Sequence, residues 1–255
     1  MKKLLFGLLS TCFLTAPALA EGKIQKGFYS MDAMGCMLTR ECTKDVRRVK
    51  SIDDIRKEFP NSNFDLVADE FDSMLVSLDK IGVMVFLGPE KYFPPGHRGV
   101  YHTVSNNFFL NEKFMHRPSV LMTVMRHEGW HAAQDCMAGT IDNSMIAIIK
   151  PEEEVPMIWQ ELVERTYPPA ARPWEAEATW AGKTANMTQE ALESCANNSM
   201  WSDYEPTPLT KKWLIEEGFI DGDSTNTVIV TQTYHGSSMG LPIIEGCMNS
   251  NACNY

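Results

Sequence analysis

Two histidines and a glutamate in the segment His127-Glu128-Gly129-Trp130-His131 have the residue types and the spacing of a hydrolytic metal site. Residues four apart on a helix lie about 5–6 Å apart at their β-carbons, so His127 and His131 can bind one ion. Imidazole nitrogen is a common ligand of zinc, and zinc acidifies a bound water. Glu128 can accept a proton from that water. The segment predicts a Zn²⁺ site with Glu128 as general base, unless the pattern is a chance string.

A catalytic zinc ion needs a third protein ligand and one open coordination position. Glu175 and Glu177 are the candidates, since both fall in a later predicted helix whose alanines would let it approach another helix closely. A histidine six residues beyond His131 would complete a different zinc motif, but Met137 occupies that position. The residues alone leave the choice between the two glutamates open.

The chain resembles the gluzincin group of zinc metallopeptidases, in which a glutamate from a later helix joins a His-Glu-x-x-His helix. The resemblance covers mainly residues 99–185. Several such families place the ligand glutamate three residues before an alanine, and Glu175-Ala176-Glu177-Ala178 matches with Glu175 as the third ligand. Thr179 departs from the pattern, because an aspartate or asparagine often stands there. No single family is indicated.

The resemblance implies a zincin-like α+β fold, with a small sheet packed on the metal helix and a mostly helical C-terminal half. It also implies an edge strand along which a peptide substrate lies antiparallel. Residues 108–111 occupy the matching place. An ordinary core strand is the equally good alternative for this segment.

The hydrophobic periodicity predicts the elements that would position these residues. Expected helices cover 64–78, a stretch from Pro118 to Gly139, one from 152 to about 167, one from Pro173, and one capped at Thr188 that runs to about 197. Expected strands cover 83–87, 99–110 as one bent or two short strands, and 227–233.

Two further positions could assist the chemistry. Tyr234 and His235 are weak candidates for stabilising an oxyanion. The favoured alternative is that both lie in a solvated loop away from the metal. Asp135 could orient His131 by a hydrogen bond, or it could be an ordinary exposed aspartate of the helix.

The ends and the charge of the chain limit its location and its partners. Residues 1–20 have the basic start, apolar run and small-residue ending of a signal peptide, which predicts a secreted or periplasmic protein. We expect a metallopeptidase domain over 21–245 and a cysteine-containing tail over 246–255. The formal charge of −10 disfavours nucleic acid as a partner, and no segment of the mature chain is apolar for long enough to span a membrane.

Six cysteines remain after removal of the leader, and an even number in an exported chain suggests disulfides. Short separations favour Cys36 with Cys42 and Cys247 with Cys253, which leaves Cys136 for Cys195. Buried free thiols are the alternative.

The function expected from these residues is zinc-dependent hydrolysis of a peptide or protein substrate. One alternative is a non-catalytic exported module with a structural or vestigial zinc site, which a closed fourth coordination position would favour. Another is an amidase that acts on cell-wall peptides.

Overall fold

The helix that carries the histidine pair packs against a small sheet and against several later helices. The computed structural model describes residues 33–38, 40, 44–139, 141 and 145–222. The helices are α1 (Ala33–Leu38), α2 (Ile52–Glu58), α3 (Ala68–Lys80), α4 (Pro118–Met137), α5 (Met157–Thr166), α6 (Arg172–Lys183), α7 (Met187–Ala196), α8 (Met200–Asp203) and α9 (Pro208–Glu216). The strands are β1 (Arg47–Arg48), β2 (Met84–Gly88), β3 (Gly99–His102) and β4 (Asn107–Asn111). The described part of the chain is therefore mixed α+β and mostly helical.

The four strands form one sheet in the order β1-β2-β4-β3. Strand β2 pairs antiparallel with β1 and parallel with β4, while β3 pairs antiparallel with β4. Residues 108–111 belong to β4, which has a neighbour on each side, so the alternative of an ordinary core strand is correct and the edge-strand interpretation is wrong. The chain turns back between β3 and β4, where Asn106 has φ of 52°, and this reversal places β3 at the outer edge.

Helix α4 begins and ends where the sequence indicates. Pro118 is its first residue, where a missing amide hydrogen costs nothing, and Gly139 lies just beyond its end with φ of 115°, which favours glycine. The helix is buried on most of its surface because β3, α6 and α7 all pack on it. Trp130 is fully buried, as expected for a core residue of a central element.

Close approach of α6 to α4 depends on a small residue. A β-carbon at Gly182 would lie 3.1 Å from the carbonyl oxygen of Thr123 and 3.4 Å from the β-carbon of His127. Such contacts are tight for any larger side chain, so glycine lets the two backbones approach each other at the first histidine.

The predicted disulfide between Cys136 and Cys195 is present and joins the end of α4 to α7. The other two predicted pairs include residues outside the described ranges. So do the signal peptide, the tail, the strand at 227–233, and Tyr234 with His235.

Several predicted boundaries differ from the structure. The cap expected at Thr188 is wrong: Asn186 caps α7 in the left-handed conformation, and the Thr188 hydroxyl donates to the carbonyl of Arg126 at 2.8 Å instead. Helix α9 was not expected. Within the described ranges, no helix combines the length and the apolar character needed to cross a membrane.

Candidate metal centre

His127 and His131 of α4 face Glu175 of α6 across the contact between the two helices. Nε2 of His127 lies 3.3 Å from Oε2 of Glu175, and Nε2 of His131 lies 3.7 Å from Oε1 of the same carboxylate. One potential ligand atom from each residue lies within 4.8 Å of the others. The three side chains are each at most 4 % exposed. They form a buried group that could hold a metal ion.

The group fits a cation because its inward atoms are acceptors. Within the described residues, no hydrogen bond of standard geometry reaches Nε2 of either histidine or either oxygen of Glu175. Buried polar atoms normally have partners, and leaving one unpaired costs about 1–3 kcal/mol. Ligand atoms bound tetrahedrally to zinc at about 2.0–2.2 Å stand about 3.3–3.5 Å apart. The distance from each histidine to its nearer Glu175 oxygen, 3.3 and 3.7 Å, is close to that spacing, and one atom from each of the three residues lies within 4.8 Å of the others.

The protonation of His131 follows from the hydrogen bonds of Gln134. The Gln134 amide nitrogen donates to Oε2 of Glu177 at 2.7 Å and to the carbonyl of Trp174 at 3.1 Å. Because both partners accept, the amide oxygen must face His131, where it lies 2.8 Å from Nδ1. Nδ1 therefore carries the proton, and the lone pair of Nε2 points toward Glu175.

His127 is held in the same tautomer by the backbone of α6. Its ring donates to the carbonyl oxygen of Ala178, while Nε2 has no hydrogen-bond partner in the described part of the chain. A proton on the other ring nitrogen leaves Nε2 available as a ligand. Thr179, the residue that departs from the gluzincin pattern, takes no part in this orientation, because its hydroxyl lacks a described hydrogen-bond partner.

Glu177 is occupied elsewhere. Its carboxylate accepts from Trp130 Nε1 at 3.0 Å, from Gln134, and from the backbone amides of Ile149 at 3.2 Å and Lys150 at 2.5 Å. Burial raises the pKa of Glu177 to about 7, and these four donors oppose the rise. Four N–H donors on one carboxylate make it an anchor for the surrounding backbone, so Glu175 is the glutamate that faces the histidines.

Glu128 points from α4 toward the edge strand. Its Oε2 accepts from the backbone amide of Tyr101 at 2.9 Å, while Oε1 has no hydrogen bond to a described residue. A β-carbon at Gly99 would lie 2.4 Å from Val124 and 3.3 Å from Oε1, so only glycine allows β3 to lie this close. The strand thus fixes one oxygen of Glu128 and leaves the other, buried, without a hydrogen bond to a described residue.

Burial controls the charges of the group. It lowers the pKa of His131 to about 4 and lowers that of His127, so both rings are neutral at pH 7. It raises the pKa values of Glu128 and Glu175 to about 7. Neutral imidazoles are the form that binds metal, and a bound cation would restore the negative charge on the carboxylates.

Three residues near the ligands were missed or misjudged from the sequence. Asp135 neither orients His131 nor lies exposed: it is fully buried and accepts from the Tyr101 hydroxyl at 2.7 Å. Gln134 orients His131, and its position one turn beyond that histidine was the available signal. Tyr167 was read only as the end of α5, but its hydroxyl interacts with the carboxylate of Glu175 and lowers its pKa. Nothing local in the sequence indicated that contact.

Comparisons with protein-family models, with curated proteins and with solved structures found no match to this chain. The chemistry of the site is therefore derived from its own residues.

Proposed function

We propose that the chain is a zinc-dependent hydrolase that acts on peptide or protein substrates, with His127, His131 and Glu175 as metal ligands and Glu128 as general base. The observation that carries the proposal is the set of buried acceptor atoms on these four residues that no hydrogen bond of standard geometry reaches from the described part of the chain. His127, His131 and Glu175 face one another at distances suited to a metal. Glu128 lies beside them, and its Oε1 has no hydrogen bond to a described residue. The gluzincin resemblance supports the same assignment.

A zinc ion bound by the three ligands supplies a Lewis acid that acidifies water and polarises an amide carbonyl. Glu128 accepts the proton of the attacking water at Oε1 and passes it to the leaving amine. The Tyr101 amide holds the carboxylate in one orientation through Oε2. Burial raises the pKa of Glu128 to about 7 in the metal-free protein, and a bound cation would lower it, so that the carboxylate would be ionised and able to accept a proton at neutral pH.

Strand β3 is the proposed place for the substrate backbone. The bond from the Asn111 amide to the Arg98 carbonyl at 2.9 Å sets the register of β3 on β4. Antiparallel strands alternate the direction of their hydrogen bonds, so Gly99 and Tyr101 direct their backbone groups away from β4. The Tyr101 amide bonds to Glu128, and the other outward backbone groups of Gly99 and Tyr101 are those with which an extended peptide could pair.

A structural metal site is the second candidate, because the burial of the whole group favours it. Within the described residues, however, three ligands gather and no fourth does. Asp135 accepts from Tyr101, and Cys136 is in a disulfide. A fourth position without a protein ligand among the described residues is consistent with a catalytic site, which requires an open one.

The Cys136–Cys195 disulfide supports an oxidising compartment, secreted or periplasmic, for the protein. The chemistry proposed is common to all amides, so cell-wall peptides belong among the substrates tested.

The deciding experiment compares the wild type with Glu128→Gln. The variant should bind one equivalent of zinc, measured by elemental analysis, and lose about 10²–10⁴-fold of its hydrolytic rate, because only the base is removed. Rates would be measured by mass spectrometry on unstructured protein and on cross-linked cell-wall peptides, before and after chelation and after return of zinc. Glu153→Gln, an exposed glutamate on the same chain, is the matched control.

Glu175→Gln should instead lower zinc occupancy. Full turnover in Glu128→Gln would show that Glu128 is not the general base. A zinc-bound wild type that is inactive on every substrate would favour a structural metal site.

A further inference from the structure

Tyr101 of β3 forms hydrogen bonds with two residues of α4. Its backbone amide donates to Oε2 of Glu128 at 2.9 Å, and its hydroxyl donates to Oδ2 of Asp135 at 2.7 Å. All three residues are buried. Positions 128 and 135 are two helical turns apart, roughly 10.5 Å along the axis, and lie on the same face of α4. One tyrosine therefore spans two turns of the helix, with the proposed base at one end and a second acid at the other.

The side chain of Tyr101 is the only one from β3 that faces α4. Side chains alternate between the two faces of a strand. Tyr101 belongs to the main core cluster together with Ala132 of α4, whereas Val100 belongs to a second cluster on the other face of the sheet. Gly99 shares the face of Tyr101 but has no side chain, and a β-carbon there would lie 2.4 Å from Val124. Within β3, only Tyr101 can thus attach to α4 through a side chain.

Strand β3 depends on this attachment because it is the edge strand of the described sheet. Its backbone pairs with β4 on one side, and no other strand of that sheet pairs with it. The Tyr101 amide that holds Glu128 is directed to the unpaired side. A displacement of about 1 Å at a reacting group can lower a rate about 100-fold. The bond from the Tyr101 hydroxyl to Asp135 opposes such a displacement of β3 along α4.

We infer that Asp135 is a positioning residue for Glu128 and acts through the Tyr101 hydroxyl. The bond at Asp135 fixes Tyr101 on α4, and the Tyr101 amide in turn holds Oε2 of Glu128, so that Oε1 keeps one orientation. The role of Glu128 as general base rests on the proposed function, but the positioning of its carboxylate does not.

The ordinary alternative is that this bond only stabilises the fold. A second bond of the same type provides the matched control, because the Tyr92 hydroxyl donates to Asp45 at 2.6 Å. Tyr92 packs in the cluster on the other face of the sheet, which contains no residue of α4. Tyr92→Phe therefore removes an equivalent bond without touching the attachment of β3 to α4.

The test measures hydrogen exchange of single amides by NMR in the metal-free full chain, labelled with ¹⁵N at tyrosine and phenylalanine. Tyr101→Phe removes the hydroxyl and keeps the ring. The amide of residue 101 should then exchange at least about tenfold faster, because β3 separates from α4 more often. The amide of Phe71, bonded to the Val67 carbonyl within α3 at 3.0 Å, reports overall stability and should accelerate less.

Two variants and a kinetic measurement separate positioning from stability. Asp135→Asn should keep slow exchange at residue 101, since the new amide oxygen can still accept from the hydroxyl. Tyr92→Phe should leave that amide unchanged. In the zinc-loaded protein, Tyr101→Phe should retain one equivalent of zinc and lose about 10–100-fold in kcat with little change in KM.

Unchanged exchange at residue 101 in Tyr101→Phe, equal acceleration at residue 101 and Phe71, or the same acceleration in Tyr92→Phe would overturn the inference. If the zinc-loaded wild type hydrolyses no substrate, the proposed function fails, while the exchange rates still decide whether Asp135 positions Glu128.

Discussion

Gln134 connects the ligand His131 to the buried carboxylate of Glu177. The amide accepts from the imidazole at one end and donates to the carboxylate at the other, at 2.8 and 2.7 Å. Since Glu177 also accepts from Trp130 and two backbone amides, the whole chain of hydrogen bonds is anchored in the core. This anchoring selects the tautomer of His131 before any metal arrives, which lowers the cost of binding.

Replacing Gln134 by leucine should weaken zinc binding by about 10–100-fold, because the ring of His131 loses the partner that fixes its proton on Nδ1. Competition with a chelator of known affinity measures the change. Nitrogen NMR of the histidine side chains in the metal-free protein should show the Nδ1–H form of His131 in the wild type and a mixture of tautomers in the variant.

Gln189→Leu is the control, because Gln189 bonds to Glu193 on α7. An unchanged tautomer and affinity in the Gln134 variant would remove its orienting role.

Helix α4 is the element on which the site depends, and several contacts hold it along its length. Arg126 binds Glu70 of α3 in its middle, with both side chains largely buried. The Thr188 hydroxyl satisfies the Arg126 carbonyl. Cys136 at its end is bonded to Cys195 of α7. Such cross-links fix the histidines of α4 relative to α3 and α7, and the packing of α6 on α4 places Glu175, as a preorganised metal site requires.

The Cys136–Cys195 disulfide should contribute about 4 kcal/mol to the free energy of unfolding, since it closes a loop with a sequence separation of 59 residues. The double variant Cys136→Ser, Cys195→Ser should lose about that amount in urea unfolding monitored by circular dichroism, without a change in the folded spectrum. A loss below about 1 kcal/mol would show that packing of α4 on α7 holds the junction without the covalent bond.

At the scale of the whole molecule, buried titratable groups make stability depend on pH in two opposing ways. Burial lowers the pKa of His102 to about 4, whereas it raises those of Glu128, Glu175 and Glu177 to about 7. In the metal-free protein, the raised pKa values of these three carboxyl groups stabilise the folded state most at pH values below their ordinary pKa. This contribution to stability is lost as the pH rises toward 7. The lowered pKa of His102 stabilises the folded state most above pH 6.5, and this contribution is lost as the pH falls toward 4.

Replacing His102 by glutamine isolates the second effect. Between pH 6.5 and 4 the unfolded wild type binds a proton at His102 that the folded state does not, so stability falls with pH. From pH 7 to 4.5, the metal-free variant should lose about 2 kcal/mol less than the wild type in urea unfolding. His116→Gln, at an exposed histidine, should follow the wild type. Parallel pH curves for His102→Gln and the wild type would contradict the prediction.

The sequence by itself determined the features whose physics is local. A spacing of four places His127 and His131 on one face of a helix, whatever surrounds it, and Pro118 and Gly139 mark the ends of that helix. The mixed α+β class follows from hydrophobic periodicity. The prediction that Cys136 pairs with Cys195 followed from the assumption that Cys36 pairs with Cys42 and Cys247 with Cys253.

Only the tertiary structure decided which residues meet across elements. Glu175 and Glu177 are equivalent in composition and two positions apart, so they point to different sides of α6, and packing on α4 determines that Glu175 faces the histidines while Glu177 binds backbone amides. The same holds for β3 as the edge strand of the described sheet and for the interaction of Tyr167 with Glu175. Each depends on the direction in which two distant segments approach, and a periodic pattern carries no information about that direction.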